Sequence, residues 1–168
     1  MVLLSSLLLI KEGGKKEVII YDVAVIVRGE NSDEWSIIKA GMEQASLEMN
    51  INLRFISLLE ENNVEEQRQY IEKEVHSGTD ALVISPADYR ELSTVIEEVS
   101  KKTPIVLFES AIETNQKISY ISSDNYTLGQ KLAEEVIRNG NTRNKLIIAK
   151  SNSEYSSPLS IFLCCCCE

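Results

Sequence analysis

Six side chains in this sequence have the types and spacing needed to bind a small polar molecule. They are Asn31, Ser32, Trp35, Ser85, Asp88 and Glu109. Asn and Ser offer neutral hydrogen-bond donors and acceptors, and an indole offers an apolar face on which the C–H surface of a sugar stacks. A carboxylate such as that of Glu109 accepts two hydroxyl hydrogen bonds, which are stronger because they are charge-assisted. This mixture of groups favours a sugar or another neutral polyol as the ligand.

Each of these residues also has a purely structural interpretation. Trp35 is then the first core residue of its helix, and Ser32 and Asp88 are helix caps. Ser85 and the proline after it form a turn, and Glu109 is a solvated acid in a loop. The sequence leaves both interpretations open.

Catalytic chemistry has little support. His76 is the only histidine and lies at a predicted helix end, so no Ser-His-Asp set can be assembled around a cleft. Neither G-x-G-x-x-G nor G-x-x-x-x-G-K is present, which excludes the common nucleotide-binding loops. The cysteines are adjacent, at Cys164–Cys167, whereas metal sites need spaced pairs. We therefore expect a binding protein, not an enzyme, with no cofactor and no metal.

Alternating strands and helices place the six residues where strands end. Val23–Val27 predicts a strand buried on both faces, because five apolar residues follow one another. After a turn, apolar residues recur at helical spacing from Trp35 onward. Further strands are predicted at 51–58, 81–85, 105–108, 118–121 and 145–149, and further helices at 64–77, 89–102 and 126–139. This order predicts an α/β fold, a doubly wound parallel sheet with helices on both faces.

The last of these helices has an apolar stripe that is expected to face inward. The stripe comprises Leu128, Leu132, Val136 and Ile137. In open parallel sheets, ligands bind beyond the carboxyl ends of the strands. The polar residues that follow the strands are therefore expected to share one edge of the sheet.

Length and charge restrict the possibilities further. A chain of 168 residues fits one domain, and a net charge of −9 argues against nucleic acid as a partner. We expect an apolar leader and charged linker at 1–20, a folded lobe at 21–153 and an irregular tail at 154–168.

The two ends of the chain do not fit the pattern of the lobe. Met1–Ile10 is too short to span a membrane and is similar to the apolar half of a secretion signal, so the leader is expected to contact a membrane or to have been anchored in one. The preferred explanation of the cysteine-rich tail is a truncated or frameshifted reading frame. A palmitoylated or metal-binding tail is the alternative.

Four segments, in order and spacing, resemble the type I periplasmic sugar-binding proteins, the ribose-binding-like solute receptors. The segments are Val23–Trp35, Asp80–Pro86, Pro104–Ser110 and Tyr120–Gly129. The effector domains of LacI-type repressors share this pattern. The resemblance implies one Rossmann-like lobe, the amino-terminal one, of a two-lobed receptor that closes over a sugar. It also implies an extracytoplasmic location, and an ABC permease or a membrane sensor kinase as the partner.

By position, the resemblance assigns ligand-binding roles to residues after three strands. Trp35, preceded by Asn31, is the aromatic residue after the first strand. Asp88 is the polar residue after the third strand, and Glu109 is the acid after the fourth. The family usually has Asp at that last place, often followed by Arg, where this chain has Glu109 and then Ser110. Because one lobe cannot enclose a ligand, we expect weak or no binding by the chain alone.

Three other classes of protein share features with this sequence. A transcription regulator's effector domain needs a helix-turn-helix before the first strand, and Met1–Tyr21 is too short and apolar to supply one. A phosphoacceptor receiver-like domain needs paired acids after the first strand and an Asp after the third. Those places hold Arg28-Gly29 and Ser85-Pro86 instead. A sugar-phosphate enzyme needs a catalytic base on a defined loop and a phosphate cradle, and neither is evident.

Overall fold

A computed structural model describes residues 19–29 and 33–139 of the chain. Within these residues five strands alternate with four helices. The strands are β1 (Tyr21–Val27), β2 (Ile51–Ser57), β3 (Ala81–Ile84), β4 (Ile105–Phe108) and β5 (Ser119–Ile121). The helices are α1 (Asp33–Met49), α2 (Val64–His76), α3 (Ser93–Ser100) and α4 (Asn125–Arg138). The predicted strand at 145–149 lies outside the described residues.

The strands form one sheet in the order β2-β1-β3-β4-β5, and every neighbouring pair is parallel. β1 lies between β2 and β3, and Val25 is in register with Phe55 on one side and Val83 on the other. The α/β prediction is confirmed. The observed element bounds differ little from the predicted ones except at α3, which begins at Ser93 because turns occupy the residues before it.

Helices cover both faces of the sheet. On one face α2 and α3 pack against the alternate apolar residues of β1, β3 and β4. The fully buried side chains of this core include Ile26, Leu82, Ile84, Ile71, Leu92 and Ile96. On the other face α1 packs Trp35 against Val25, Val27 and Phe108. The two cores hold the strand ends rigidly beside one another, which is what a binding site on those ends requires.

Capping residues fix both ends of α2. Asn63 accepts a hydrogen bond from the N–H of Glu66 at 3.0 Å, as a capping pair predicts. The Glu66 carboxylate bonds the N–H groups of Leu59 and Glu60, so it anchors the incoming loop instead of the cap itself. At the other end Gly78 has a φ of +80°, a conformation that ends helices and favours glycine.

Helix α4 departs from the prediction. Leu128, Leu132 and Ile137 were expected to face inward, and they are 59%, 50% and 62% exposed. A helical period shows that a helix has an apolar face, and it does not show that a described element covers that face. No helix among the described residues is long and apolar enough to span a membrane.

Asp124 caps α4, and its carboxylate accepts hydrogen bonds from Thr127. Bonds from the hydroxyl and then the N–H of Thr127 hold the pKa of Asp124 below its ordinary value of 3.8. The pKa of Asp124 is therefore lower in the folded state than in the unfolded state. Because of this difference, the cap stabilises the fold above pH 3.8, and the stabilisation is lost as the pH falls through the lowered pKa.

Candidate ligand-binding site

Three strand ends meet at the carboxylate of Glu109. Arg28 follows β1, Ser85 follows β3 and Glu109 follows β4. The Nη2 atom of Arg28 donates to Oε1 of Glu109 at 2.8 Å, and the hydroxyl of Ser85 donates to Oε2 at 2.8 Å. These three residues are called the Glu109 cluster below. They lie at the carboxyl ends of the parallel strands, where ligands bind in sheets of this kind.

The backbone at Glu109 holds an unusual conformation. Its φ is +63°, which is uncommon for a residue with a side chain. The N–H of Ser110 bonds the carbonyl of Phe108 at 2.7 Å across the tight turn, and the N–H of Glu109 bonds Ile121 of β5 at 2.9 Å. The hydroxyl of Tyr120 donates to the Glu109 carbonyl at 3.1 Å. Such strained residues concentrate at functional sites, where the surrounding structure keeps them in place.

The Glu109 cluster retains hydrogen-bonding capacity. A carboxylate has about four acceptor positions, of which Arg28 and Ser85 use two. Within the described part of the chain, Arg28 uses one of its donors in a side-chain bond. The side chains of Arg28 and Glu109 are 23% and 35% exposed. A molecule with adjacent hydroxyls can therefore donate to Glu109 while it accepts from Arg28.

Gln67 on α2 holds the segment after β3 in place through two hydrogen bonds. Its side chain is fully buried on α2. Its Nε2 atom donates to the Ser85 carbonyl at 2.9 Å, and its Oε1 atom accepts from the N–H of Ala87 at 2.7 Å. The amide of Gln67 thus gives hydrogen-bond partners to two backbone groups of the turn that carries Ser85. Without Gln67, both groups would be buried and unpaired.

The remaining predicted site residues have different outcomes. Asn31 and Ser32 lie outside the described residues. Asp88 is 9% exposed, and its Oδ1 atom accepts from the N–H groups of Arg90 and Glu91 at 2.7 and 2.8 Å. Asp88 therefore fixes the turn that precedes α3 and is not the cap of that helix, which begins at Ser93 after the N-cap Leu92. Contact of Asp88 with a ligand stays a prediction. Within the described residues, no group of three or more His, Cys, Asp or Glu is placed to hold a metal ion.

Trp35 lies under the site. Its side chain is 6% exposed and packs edge-on against Phe108, with the ring centroids 6.0 Å apart. The expected stacking face is therefore covered in this structure, as the core interpretation of Trp35 describes, and stacking on a ligand stays a prediction. The indole approaches the backbone at Gly29, where an added Cβ would lie 2.5 Å from Nε1.

Replacing Gly29 by alanine is expected to lower the free energy of unfolding by about 1–3 kcal/mol, the usual cost of overpacking. The added methyl group would push the indole away from Phe108, so the fluorescence of Trp35 reports the same change. Gly41→Ala is the control, because Gly41 lies on α1, the helix that carries Trp35, and a Cβ at that position meets nothing within 4 Å. It should stabilise the helix by about 0.5–1 kcal/mol. Equal urea midpoints for the two variants would contradict the prediction.

Arg28 and Gln67 belong to the candidate site, and sequence reasoning missed both. Arg28 was interpreted only as part of a turn, although it follows a buried strand directly. Gln67 is a polar residue on the inward face of α2, between Val64 and Ile71. A lone amide within an apolar stripe was the signal that could have identified it, since a buried amide requires partners.

Comparison with known proteins identifies a family and a fold. Residues 23–158 match the profile of a family described as periplasmic binding protein domain. The chain is 25% identical over 122 residues to the ribose import binding protein of Bacillus subtilis (strain 168), a match that covers 72% of this chain and 38% of that protein.

Solved structures share the fold. A carbohydrate transporter solute-binding protein from Agrobacterium radiobacter, in complex with D-arabinose, matches with a TM-score of 0.66 and 23% identity, covering 76% of this chain and 44% of that one. A solute-binding protein of an ABC transporter from Clostridium phytofermentans, with bound β-D-glucose, matches with a TM-score of 0.63 and 23% identity, over 74% and 38% of the two chains. The chain thus spans less than half the length of these relatives.

Proposed function

We propose, since this chain belongs to the periplasmic binding protein domain family, that it forms one lobe of an extracytoplasmic receptor for a neutral sugar. The observation that carries the proposal is the Glu109 cluster, where a guanidinium after β1 and a carboxylate after β4 meet across the carboxyl end of β3. The ligands named for the two structural neighbours, D-arabinose and β-D-glucose, support the same class. Binding without catalysis is the role proposed.

The charge of the cluster favours a neutral ligand. Arg28 and Glu109 neutralise each other at 2.8 Å, so neither charge is left for a charged ligand to pair with. A charged ligand in this place would lose its hydration without gaining an opposite charge. A sugar hydroxyl both donates and accepts, and therefore satisfies both members of the pair at once.

The wider role follows from the family. We propose that the complete receptor delivers its sugar to an ABC permease or reports it to a membrane sensor kinase, outside the cytoplasm. An effector domain of a LacI-type regulator is the alternative with the same fold. A receiver-like domain is disfavoured, because the ends of β1 and β3 are followed by Arg28 and Ser85 and not by acids.

The experiment is an NMR titration of the 168-residue chain with D-ribose, D-arabinose and D-glucose, using glucuronate and glucose 6-phosphate as charged controls. We expect at least one neutral sugar to shift the amide resonances of Arg28, Ser85 and Glu109 saturably. The dissociation constant should lie in the millimolar range, a binding free energy of about −4 kcal/mol, because one lobe leaves the ligand half exposed. Unchanged resonances in every neutral sugar, or tighter binding of the charged controls, would overturn the proposal.

A further inference from the structure

One buried polar atom near the Glu109 cluster has no partner. It is Oδ1 of Asn62, and no other buried side-chain oxygen or nitrogen of the described residues lacks a hydrogen bond. Buried polar groups are almost always paired, so each exception needs an explanation. The backbone of Asn62 is also unusual, with a φ of +58°, which asparagine tolerates better than most residues.

Asn62 belongs to the same edge of the sheet as the Glu109 cluster. It lies in the loop between β2 and α2, and its N–H donates to the carbonyl of Arg28 at 2.8 Å. Arg28 therefore holds the Asn62 backbone through its own carbonyl while its side chain bonds Glu109. Since β2 is the neighbour of β1, this loop extends the candidate site by one strand beyond the three that form the cluster.

We propose that Asn62 is a further ligand-binding residue, whose side-chain amide pairs with a hydroxyl of the bound sugar. This inference depends on the proposed function and adds a specificity-determining residue to it. Rotation of the amide by half a turn exchanges its oxygen and nitrogen, so Asn62 offers the sugar an acceptor or a donor. Oδ1 is covered in this structure, so the side chain must turn outward to meet a ligand, and the ligand bond would then recover the free energy that the unpaired state costs.

The test compares two asparagines of the same conformation. Asn50, between α1 and β2, has a φ of +56° and lies at the opposite, amino end of the sheet, where its carbonyl accepts from the N–H of Tyr21. Glycine tolerates this conformation at both positions, so Asn62→Gly and Asn50→Gly remove only the amide. Each variant of the full chain is titrated with the neutral sugar that binds most tightly, and its urea midpoint is measured in parallel.

We expect Asn62→Gly to weaken binding about tenfold, the effect of one lost hydrogen bond to an otherwise unpaired group, with an unchanged or higher urea midpoint. Asn50→Gly should leave affinity unchanged. In the parent chain, the side-chain amide resonances of Asn62 should shift with sugar and those of Asn50 should not.

Two results would overturn the inference. Affinity that is retained in Asn62→Gly would show that the amide does not contact the ligand, and equal losses in both variants would show an effect of glycine itself. If the parent chain binds no sugar, the proposed function fails and this inference fails with it. If the parent binds and Glu109→Gln weakens binding while Asn62→Gly does not, only the role of Asn62 is wrong.

Discussion

Replacing Gln67 by leucine is expected to lower the free energy of unfolding by about 2–6 kcal/mol. The leucine fills a similar volume but leaves the Ser85 carbonyl and the Ala87 N–H buried without partners, at about 1–3 kcal/mol for each group. Domains are typically stable by only about 5–15 kcal/mol, so this variant can lose a large part of its folded population at room temperature. Urea unfolding followed by circular dichroism measures the change.

Gln69→Leu is the matched control for this prediction. Gln69 lies on the same helix, is exposed, and donates a hydrogen bond from its amide to the Glu65 carboxylate at 3.2 Å. Its replacement should change stability by no more than about 0.5 kcal/mol. Gln67→Glu can still accept from Ala87, but its ionised form places an unpaired buried charge against the Ser85 carbonyl, so it should destabilise at least as much as the leucine variant. Similar losses for both leucine variants would show that Gln67 has no special role in holding the turn.

The second large effect concerns binding. Glu109→Gln is expected to weaken the binding of a neutral sugar about 10- to 100-fold, because the bonds from sugar hydroxyls to the carboxylate lose their charge assistance. The same change leaves Arg28 without its ionic partner, so the affinity for glucuronate should rise. Stability should change by less than about 1 kcal/mol, since the ion pair is partly exposed. Titrations with both ligands measure this switch of preference.

Glu113→Gln provides the control for the loss of a negative charge nearby. Glu113 is a 68% exposed acid in the loop after β4 that pairs with Arg90 at 3.2 Å. Its replacement should leave both sugar and glucuronate binding unchanged, because exposed charges at a distance are screened by salt. A drop in sugar affinity equal to that of Glu109→Gln would mean that general electrostatics, and not direct contact, governs binding.

Sequence reasoning reached the fold, but not the contacts within the candidate site. Runs of apolar residues predicted the strands, and the geometry of parallel sheets then predicted that Ser85 and Glu109 would lie at one edge. The bond between them is consistent with that rule. Arg28 was missed because its long side chain contacts a residue that is distant in the sequence. It extends past the end of β3 to Glu109, which follows β4.

Two further features depend on contacts that a single sequence does not contain. Gly29 and Phe108 lie against the Trp35 ring in this structure, and stacking of that ring on a ligand stays a prediction. The apolar face of α4 was assigned to the core because its spacing matches that of buried helices. Spacing carries no information about which element packs against a face, and among the described residues Leu128 and Leu132 stay exposed.

The backbone at position 109 also limits how the specificity of such a receptor can change over evolution. Most substitutions there must be compatible with a φ of +63° before any effect on the ligand matters, and β-branched residues are the least compatible. Glycine, asparagine and aspartate meet that condition most easily. A lineage that changes its sugar is therefore expected to retain a short polar or acidic residue at this position and to vary the residues that surround it, Arg28 first among them.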